Sequence, residues 1–297
     1  MSKIKIITHN GHFHADDVFA VVLLTMVIIE PYEIIRTRDE EIIKTGDYVV
    51  DVGGIYDEEK NLFDHHQEGG AGKRENGIPY SSLGLVWKKF GEKISDSKEV
   101  AEIIENKLVV PIDALDNGVE IFEKKFDHVD PYNIGDIIES FSLSWEEGGQ
   151  RTYTEGFMEA VEIAKSIFKR ELVRAKSKAN ARAIVEKTYL ESPDKKIVVL
   201  DRHYPWKNTI LKYKELLYVI YPAEAGDGRW HIRAVPLSEK SFENKKSFPE
   251  EWRGKRDHEL SLLSGVPDAV FCHNGGFIAV TSSKEGAMAM AKKALEA

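Results

Sequence analysis

Three histidines and two aspartates fall within nine residues in the segment His9-Asn10-Gly11-His12-Phe13-His14-Ala15-Asp16-Asp17. Neutral imidazoles and carboxylates together are the ligand set of zinc, manganese or iron. The small Gly11 and Ala15 let the backbone turn tightly around an ion. In Tyr48-Val49-Val50-Asp51-Val52-Gly53-Gly54 an apolar strand delivers one aspartate at its end. Alone, that pattern is also what an ordinary Asp-X-Gly turn produces. Asn61-Leu62-Phe63-Asp64-His65-His66-Gln67 offers two neighbouring histidines that project differently, so one can ligate a metal while the other faces substrate. Asp64 is then available to hold an imidazole in one tautomer. In Pro111-Ile112-Asp113-Ala114-Leu115-Asp116-Asn117-Gly118 the two aspartates share a helix face if the segment is helical. A helix stopped by Asn-Gly accounts for them equally well.

The combination says more than any segment. One ion uses three or four protein ligands, and these segments offer twice that supply. Two ions about 3.5–4 Å apart, sharing a bridging carboxylate, would use the surplus. Asp51 is the expected bridge, because a strand tip positions it rigidly between the other segments.

The elements that must position these groups are legible around them. Lys3–Thr8 is a β-branched run ending at His9, the apolar stretch Val18–Val27 suits a buried helix, and Tyr32–Arg36 and Tyr48–Val52 read as strands. This strand–helix–strand order predicts a parallel sheet with helices on its faces. Ser81 or Ser82 can cap a helix running to Phe90, Asp96 or Ser97 one starting near Lys98, and Pro111 should kink or end the latter. From Thr154 to Leu190, Phe157, Val161, Ala164, Phe168, Leu172 and Ala175 recur at helical spacing. Lys165, Lys169, Arg170, Lys176 and Lys178 on the other face read as a solvated surface. After a linker at Glu191–Lys196 come expected strands at Ile197–Leu200, Leu216–Tyr221, Trp230–Val235, Ala269–Cys272 and Phe277–Thr281, and a closing helix from Lys284 to Leu295. The organisation expected is a metal-binding domain over 1–150, a helical connector over 151–192 and a smaller α/β domain over 193–297.

Composition narrows the function. The 297 residues are 42% hydrophobic and 31% charged, a globular balance. The net charge of −9 argues against a protein that coats duplex nucleic acid, whose affinity comes from neutralising phosphates. An enzyme taking a small phosphate ester or the end of a single strand is compatible with it. The single cysteine, Cys272, excludes an intrachain disulfide and a Cys-rich zinc site. The most apolar stretch is closed by Glu30, too short to cross a bilayer, and the first residues read as a core strand rather than a signal peptide. The expectation is a cytoplasmic protein with no membrane partner. Self-association is left open.

At these residues the chain resembles the DHH phosphoesterase superfamily, named for the tripeptide seen here as Asp64-His65-His66, and within it the MYG family. The matching stretches are THNGHFHADD (8–17), VVDVGG (49–54), FDHHQ (63–67), DALDNG (113–118), WHIRAVP (230–236), PEEWRGKRDHELS (249–261) and FCHNGGF (271–277). The resemblance implies a DHH-type parallel-sheet domain, a helical connector and a smaller C-terminal α/β domain with substrate-binding residues. It implies two divalent ions, manganese foremost, with magnesium, zinc or cobalt as alternatives. Their ligands would be His9, His14, Asp16, Asp51, His65 and Asp116, with Asp113 the alternative to Asp116 and His12 with Asp17 the alternative register. His66 would touch the scissile phosphate, supported by Asp64. One departure stands out: the superfamily's paired aspartates correspond here to His14-Ala15-Asp16, which removes one negative charge.

The reaction so implied is two-metal phosphoester hydrolysis, most concretely 3′-to-5′ exonuclease action on single-stranded RNA or short oligonucleotides. The alternatives are a small-nucleotide phosphatase or pyrophosphatase, and a zinc hydrolase of metallo-β-lactamase type suggested by His12-Phe13-His14-Ala15-Asp16. In the C-terminal domain the turn His273-Asn274-Gly275-Gly276 is expected to bind phosphate through backbone N–H groups and the His273 and Asn274 side chains. Arg253, with Arg229, Arg233 and Arg256 nearby, would add charge. An ordinary Asn-Gly hairpin turn is the simpler account of the same residues.

Overall fold

The computed structural model describes residues 3–297 apart from 148, 225 and 240. The chain divides into two compact units, residues 1–176 and 177–297. Strand β1 (Ile4–Thr8) leads to α1 (Ala15–Val27), β2 (Tyr32–Arg36), α2 (Glu40–Ile43), β3 (Tyr48–Val50), β4 (Tyr56–Asp57) and β5 (Leu62–Phe63). The sheet order is β2-β1-β3-β5-β4. β1 pairs in parallel with β2 and β3, β3 in parallel with β5, and only the edge strand β4 is antiparallel. The parallel sheet expected from the alternating pattern is therefore present at its centre. Because β2 and β3 flank β1 on opposite sides, the carboxyl ends of β1 and β3 bound a crevice of the kind where open α/β sheets place ligands. His9 follows β1, Asp51 follows β3 and Asp64 follows β5.

Helix α1 is buried nearly all round, with Val18 through Leu24 fully enclosed. It packs chiefly against α3 (Ser82–Ser95). Ser81 is the N-cap of α3, and Ser97 caps α4 (Lys98–Ile104) by accepting from the Val100 N–H. A π-turn over Glu105–Val109 then leads into α5 (Val110–Asp116), with Pro111 in its first turn. The proline was expected to kink or end a helix. Its missing N–H falls where the ladder is already re-registered, so the helical path continues. α6 (Ile134–Glu139) follows, opened by Asn133, whose side chain accepts from Gly135 and Asp136.

The segment expected as a connector is one long helix, α7 (Tyr153–Glu191), and the division between units falls within it. Its Phe157, Ala160, Val161, Ala164 and Phe168 are buried, as the periodicity requires. In the second unit β6 (Ile197–Val199), α8 (Lys207–Ile210), β7 (Tyr218–Pro222), β8 (Trp230–Ala234), α9 (Asp257–Ser264), β9 (Ala269–Cys272), β10 (Ile278–Thr281) and α10 (Lys284–Glu296) follow in order. The sheet runs β6-β7-β8-β10-β9, with only β6 and β7 parallel. Tyr218, Ile220, Ile232, Ala234 and Ala279 form a core with Met290 and Ala291 of α10. Among the described residues no helix is long and apolar enough to cross a membrane.

A buried carboxylate ties α3 to α5. Asp113 accepts hydrogen bonds from Arg74 Nη1 (2.6 Å), Ser81 Oγ (2.6 Å) and the Gly84 N–H (3.0 Å). The carboxylate thus meets the exposed N–H end of α3, where negative charge is favoured. Only glycine fits at position 84, since a Cβ there would lie 2.0 Å from Asp113 Oδ2. Gly84→Ala is expected to lower stability by about 1–3 kcal/mol through overpacking and displacement of this carboxylate. Urea unfolding measures the loss, and an unchanged midpoint would show that Asp113 moves aside freely.

Candidate metal centre

The loop after β1 turns through Gly11, at φ +84°, and enters α1 with His14 as N-cap. The His14 N–H donates to Asp17 Oδ1 at 2.9 Å, so the helix start fixes the first motif. Arg36 holds the same loop from below, donating to the Gly11 carbonyl (2.9 Å) and the Tyr153 carbonyl (3.0 Å) with its guanidinium over the Phe157 ring. Asp51 does not lie on the strand as expected. It is the first residue past β3, in a left-handed conformation at φ +56°. That conformation is uncommon without glycine and clusters at functional sites. The Asp51 N–H still bonds the Phe63 carbonyl at 3.1 Å, and Ser82 Oγ donates to Asp51 Oδ1 at 3.0 Å. Together these over-determine a side chain that points away from the strand.

Around Asp51 the separated motifs meet. His9 Nε2 is 3.2 Å from Asp51 Oδ2 and 3.3 Å from Asp17 Oδ2. His65 Nε2 is 3.4 Å from Asp51 Oδ1, 3.2 Å from Asp116 Oδ2 and 4.0 Å from Asp16 Oδ2. Each Asp51 oxygen therefore serves a different histidine. The ligating atoms fall into three sets, each compact enough for one ion: His9, Asp17 and Asp51; Asp51, His65 and His66; and His14, Asp16 and Asp116. All six expected ligands are brought together. Asp17, weighed only in the alternative register, joins them alongside Asp16 because both sit in the buried first turn of α1. His12 does not; its Nε2 lies 3.1 Å from the Tyr153 hydroxyl. A ligand set built on His12-Phe13-His14-Ala15-Asp16 therefore lacks its first member. Asp113 also stands outside, consumed by Arg74, Ser81 and Gly84.

Asp64 and His66 form a second layer. Asp64 Oδ2 accepts from the Gly54 N–H at 2.6 Å, and Oδ1 from the His66 N–H at 3.1 Å. His66 Nδ1 lies 2.8 Å from the same Oδ1. The carboxylate is buried while the His66 side chain is 62% exposed, so Asp64 orients a ring that reaches solvent. Gly54, at φ +67°, supplies the turn that makes this possible.

The electrostatics are those of a site built around positive charge. Both Asp16 oxygens, Asp17 Oδ2 and His65 Nε2 are buried without a hydrogen-bond partner among the described residues. Around Asp16 the neighbouring charges are mainly other carboxylates, which repel it. Burial, reinforced by Asp51 and Asp116, pushes Asp16 well above the usual carboxylate range. Burial likewise raises Asp17, against the pull of His9, and raises Asp116 together with the Asp51 charge. Asp51 goes the other way: burial would raise it, but His65 and His9 hold it well below the ordinary value. For His9, burial is outweighed by Asp17 and Asp51, and its pKa rises to about 10. Unpartnered buried carboxylates are costly unless a cation joins them. The nitrogen and oxygen donors fit divalent manganese, zinc, cobalt or magnesium, and no sulfur is present.

The second unit's expected substrate turn is a tight hairpin turn between β9 and β10. The Gly276 N–H donates to the His273 carbonyl (2.8 Å) and the Gly275 N–H to His273 Nδ1 (2.9 Å). These donors are spent inside the turn rather than presented to an anion, which corrects the backbone cradle expected from the sequence. Arg253 is committed too, donating from Nε to the Phe248 carbonyl at 2.9 Å. Gly276 is required for conformation, at φ +64° with a notional Cβ 2.7 Å from Arg253 Nε. The side chains of Asn274 and of His273 through Nε2 border the turn. Arg36, Tyr153 and Ser82 were not picked out from the sequence as parts of the site. Ser82 had a signal, as a serine beside a helix start, but Arg36 and Tyr153 had none.

The chain matches the family model MYG1_exonuc, described as "Uncharacterised protein family (UPF0160)", over residues 5–295. It is 32% identical to a MYG1 protein of Schizosaccharomyces pombe over 321 residues, covering 99% of this chain and 98% of the relative. A MYG1 protein of Dictyostelium discoideum is 33% identical over 325 residues, covering 99% and 97%. A protein of Homo sapiens named MYG1 exonuclease is 32% identical over 328 residues, covering 99% and 86%. No solved structure matches the chain.

The crowding of carboxylates sets an opposing pair of outcomes for Asp16→Asn. In EDTA the variant should melt higher than wild type, because a buried, repelled charge is gone. With manganese at about a hundred times its dissociation constant the wild type should gain about 2.7 kcal/mol, and the variant much less. Differential scanning calorimetry with and without manganese measures both. Equal metal-induced gains in the two proteins would remove Asp16 from the ligands.

Proposed function

Because the chain belongs to the MYG1_exonuc family, we propose that it is a metal-dependent phosphodiesterase of DHH type, acting as a 3′-to-5′ exonuclease on RNA or short oligonucleotides. The observation that carries this reading is the convergence of His9, His14, Asp16, Asp17, Asp51, His65 and Asp116 on one buried site with orphaned oxygens. The name MYG1 exonuclease, borne by the relatives from human, cattle, rat and mouse, supports nuclease over phosphatase action.

His9, Asp17 and Asp51 would hold one divalent ion, and His14, Asp16, His65 and Asp116 a second, with Asp51 shared. Bound there, two such ions supply an activated water and neutralise the phosphoryl oxygens during in-line displacement. The chain's own groups do the rest. Asp64 takes the Nδ1–H of His66, leaving Nε2 of this exposed ring for a non-bridging phosphate oxygen. Donation from Nε2 of a ring so oriented would stabilise charge that grows in the transition state. Arg36 keeps the Gly11 loop, and with it His9 and His14, at fixed positions.

Incubation with manganese and labelled RNA, DNA, dinucleotides and p-nitrophenyl esters tests the reading. Stepwise shortening of 5′-labelled RNA is expected. Activity confined to mononucleotides or simple esters would replace the exonuclease with a small-molecule hydrolase. Asp51→Asn should lower turnover by at least about a thousand-fold at saturating manganese, since bridging charge supplies several kcal/mol. His66→Ala should lower it by about ten- to a thousand-fold while metal content, measured by elemental analysis, stays at the wild-type level. Loss of metal from the His66 variant would reassign that residue as a ligand.

A further inference from the structure

The register of the second unit's sheet assembles a row of side chains that the metal centre does not use. Tyr221 of β7 lies opposite His231 of β8, His231 opposite Val280 of β10, and Val280 opposite Phe271 of β9. Directly opposed residues share a face of a sheet. An isolated bridge between Arg256 and Phe271 extends the row by one more residue. The opposite face is occupied: Trp230, Ile232 and Ala279 pack with α10. At β9 the pairing slips, with Thr281 opposite Ala269 but Val280 opposite Phe271, so Val270 is an extra residue. A bulge of this kind re-aims side chains, and here Val270 and Phe271 both line one cavity.

That cavity measures about 390 Å³, and its chemistry comes from Arg229, His231, Arg256, Phe271, Glu224 and Asp227. The Arg256 guanidinium lies 5.2 Å from the Phe271 ring centre. The His231 ring stands edge-on to Tyr221 at 5.5 Å. Arg229 is half-exposed, with Nε 3.5 Å from Asp227. Burial lowers the His231 pKa, so its imidazole is neutral at neutral pH, with one nitrogen to donate and one to accept. Glu224 already pairs with His203 and Asp227 with Arg229, so a purely apolar ligand would leave chiefly the free guanidinium edges unanswered, and a bare phosphate would leave the aromatic rings idle. A nucleotide answers both: a flat ring to stack and a phosphate for guanidinium. The volume lies within the range of small-ligand sites.

We propose that this cavity binds one nucleotide of a single strand, its base against Phe271 and His231 and its phosphate on Arg229 and Arg256. The strand as occupant rests on the nuclease reading above. The site is distinct from the hairpin turn at 273–276, where the N–H groups of His273, Gly275 and Gly276 are already engaged.

The test is binding without turnover. A short fluorescein-labelled oligoadenylate is titrated in EDTA and followed by anisotropy, with wild type, Phe271→Leu and Arg229→Ala/Arg256→Ala compared. Phe271→Leu should weaken binding by roughly five-fold or more, the loss of one base–aromatic stack. The double arginine variant should weaken it and also flatten its salt dependence, by a slope of about 1.4 for two cations lost from a single strand. Melting temperatures identify any variant that has not folded, and the surface arginine pair keeps the test readable if Phe271→Leu fails. Unchanged affinity in folded Phe271 and arginine variants would overturn the proposal. Cleavage assays with manganese report on the nuclease reading by themselves, so its failure and the failure of this site are separable.

Discussion

The first unit is organised around a repulsion. Asp16, Asp17, Asp51 and Asp116 crowd one buried site, and only Asp51 is held firmly in its charged form by neighbouring histidines. Such a cluster is unfavourable in an apolar setting unless positive charge enters it. Everything nearby makes sense as the means of holding that arrangement open for a cation. The Gly11 turn, the Asp51 left-handed backbone and the Gly53-Gly54 turn are conformations a simple core would have no reason to adopt.

Rigidity comes from elements that contribute no ligand. α1 is enclosed by apolar side chains along most of its length, so Asp16 and Asp17 in its first turn have no freedom to swing into solvent. α3 supplies Ser82 to Asp51 and its N-terminal N–H groups to Asp113. Asp113, neutralised by Arg74, in turn fixes α5 and thereby places Asp116, one turn on, against His65. A residue excluded from the centre thus positions one that belongs to it. Burial pushes Asp113 up to about 6 even so, a measure of how much this tie depends on the guanidinium and the two donors beside it.

The second unit uses its sheet differently. One face is given to α10 and an aliphatic core. On the other, the β6–β7 side is closed by Trp206, Tyr189 and Ile210, while the β8–β10–β9 side carries arginine, histidine and phenylalanine around a cavity. Alternation along β8 accounts for the contrast, since Trp230, Ile232 and Ala234 share one face and His231 and Arg233 the other.

The sequence by itself determined that the nitrogen and oxygen side chains able to hold a metal gather in the first half, and from which segments. The density of His9, His14, Asp16, Asp51, His65 and Asp116 needs no fold to be noticed, and strand and helix periodicities placed most elements within a few residues. Residue choice within motifs was decided only in three dimensions. Asp113 and Asp116 share a helix face by spacing, yet one meets Arg74 and the other His65, because those partners arrive from segments distant along the chain. His12 and His14 are both exposed, and only the start of α1 decides that His14 joins Asp16 and Asp116 while His12 meets Tyr153. The Gly275-Gly276 pair looked like an anion cradle until the pairing of β9 with β10 closed it into a turn that uses its own donors. The aromatic and arginine row was invisible for the same reason: Tyr221, His231, Phe271 and Arg256 are neighbours only through cross-strand register. Residue type and local period are written along one dimension, whereas a buried atom's partner is set by which distant segment packs beside it.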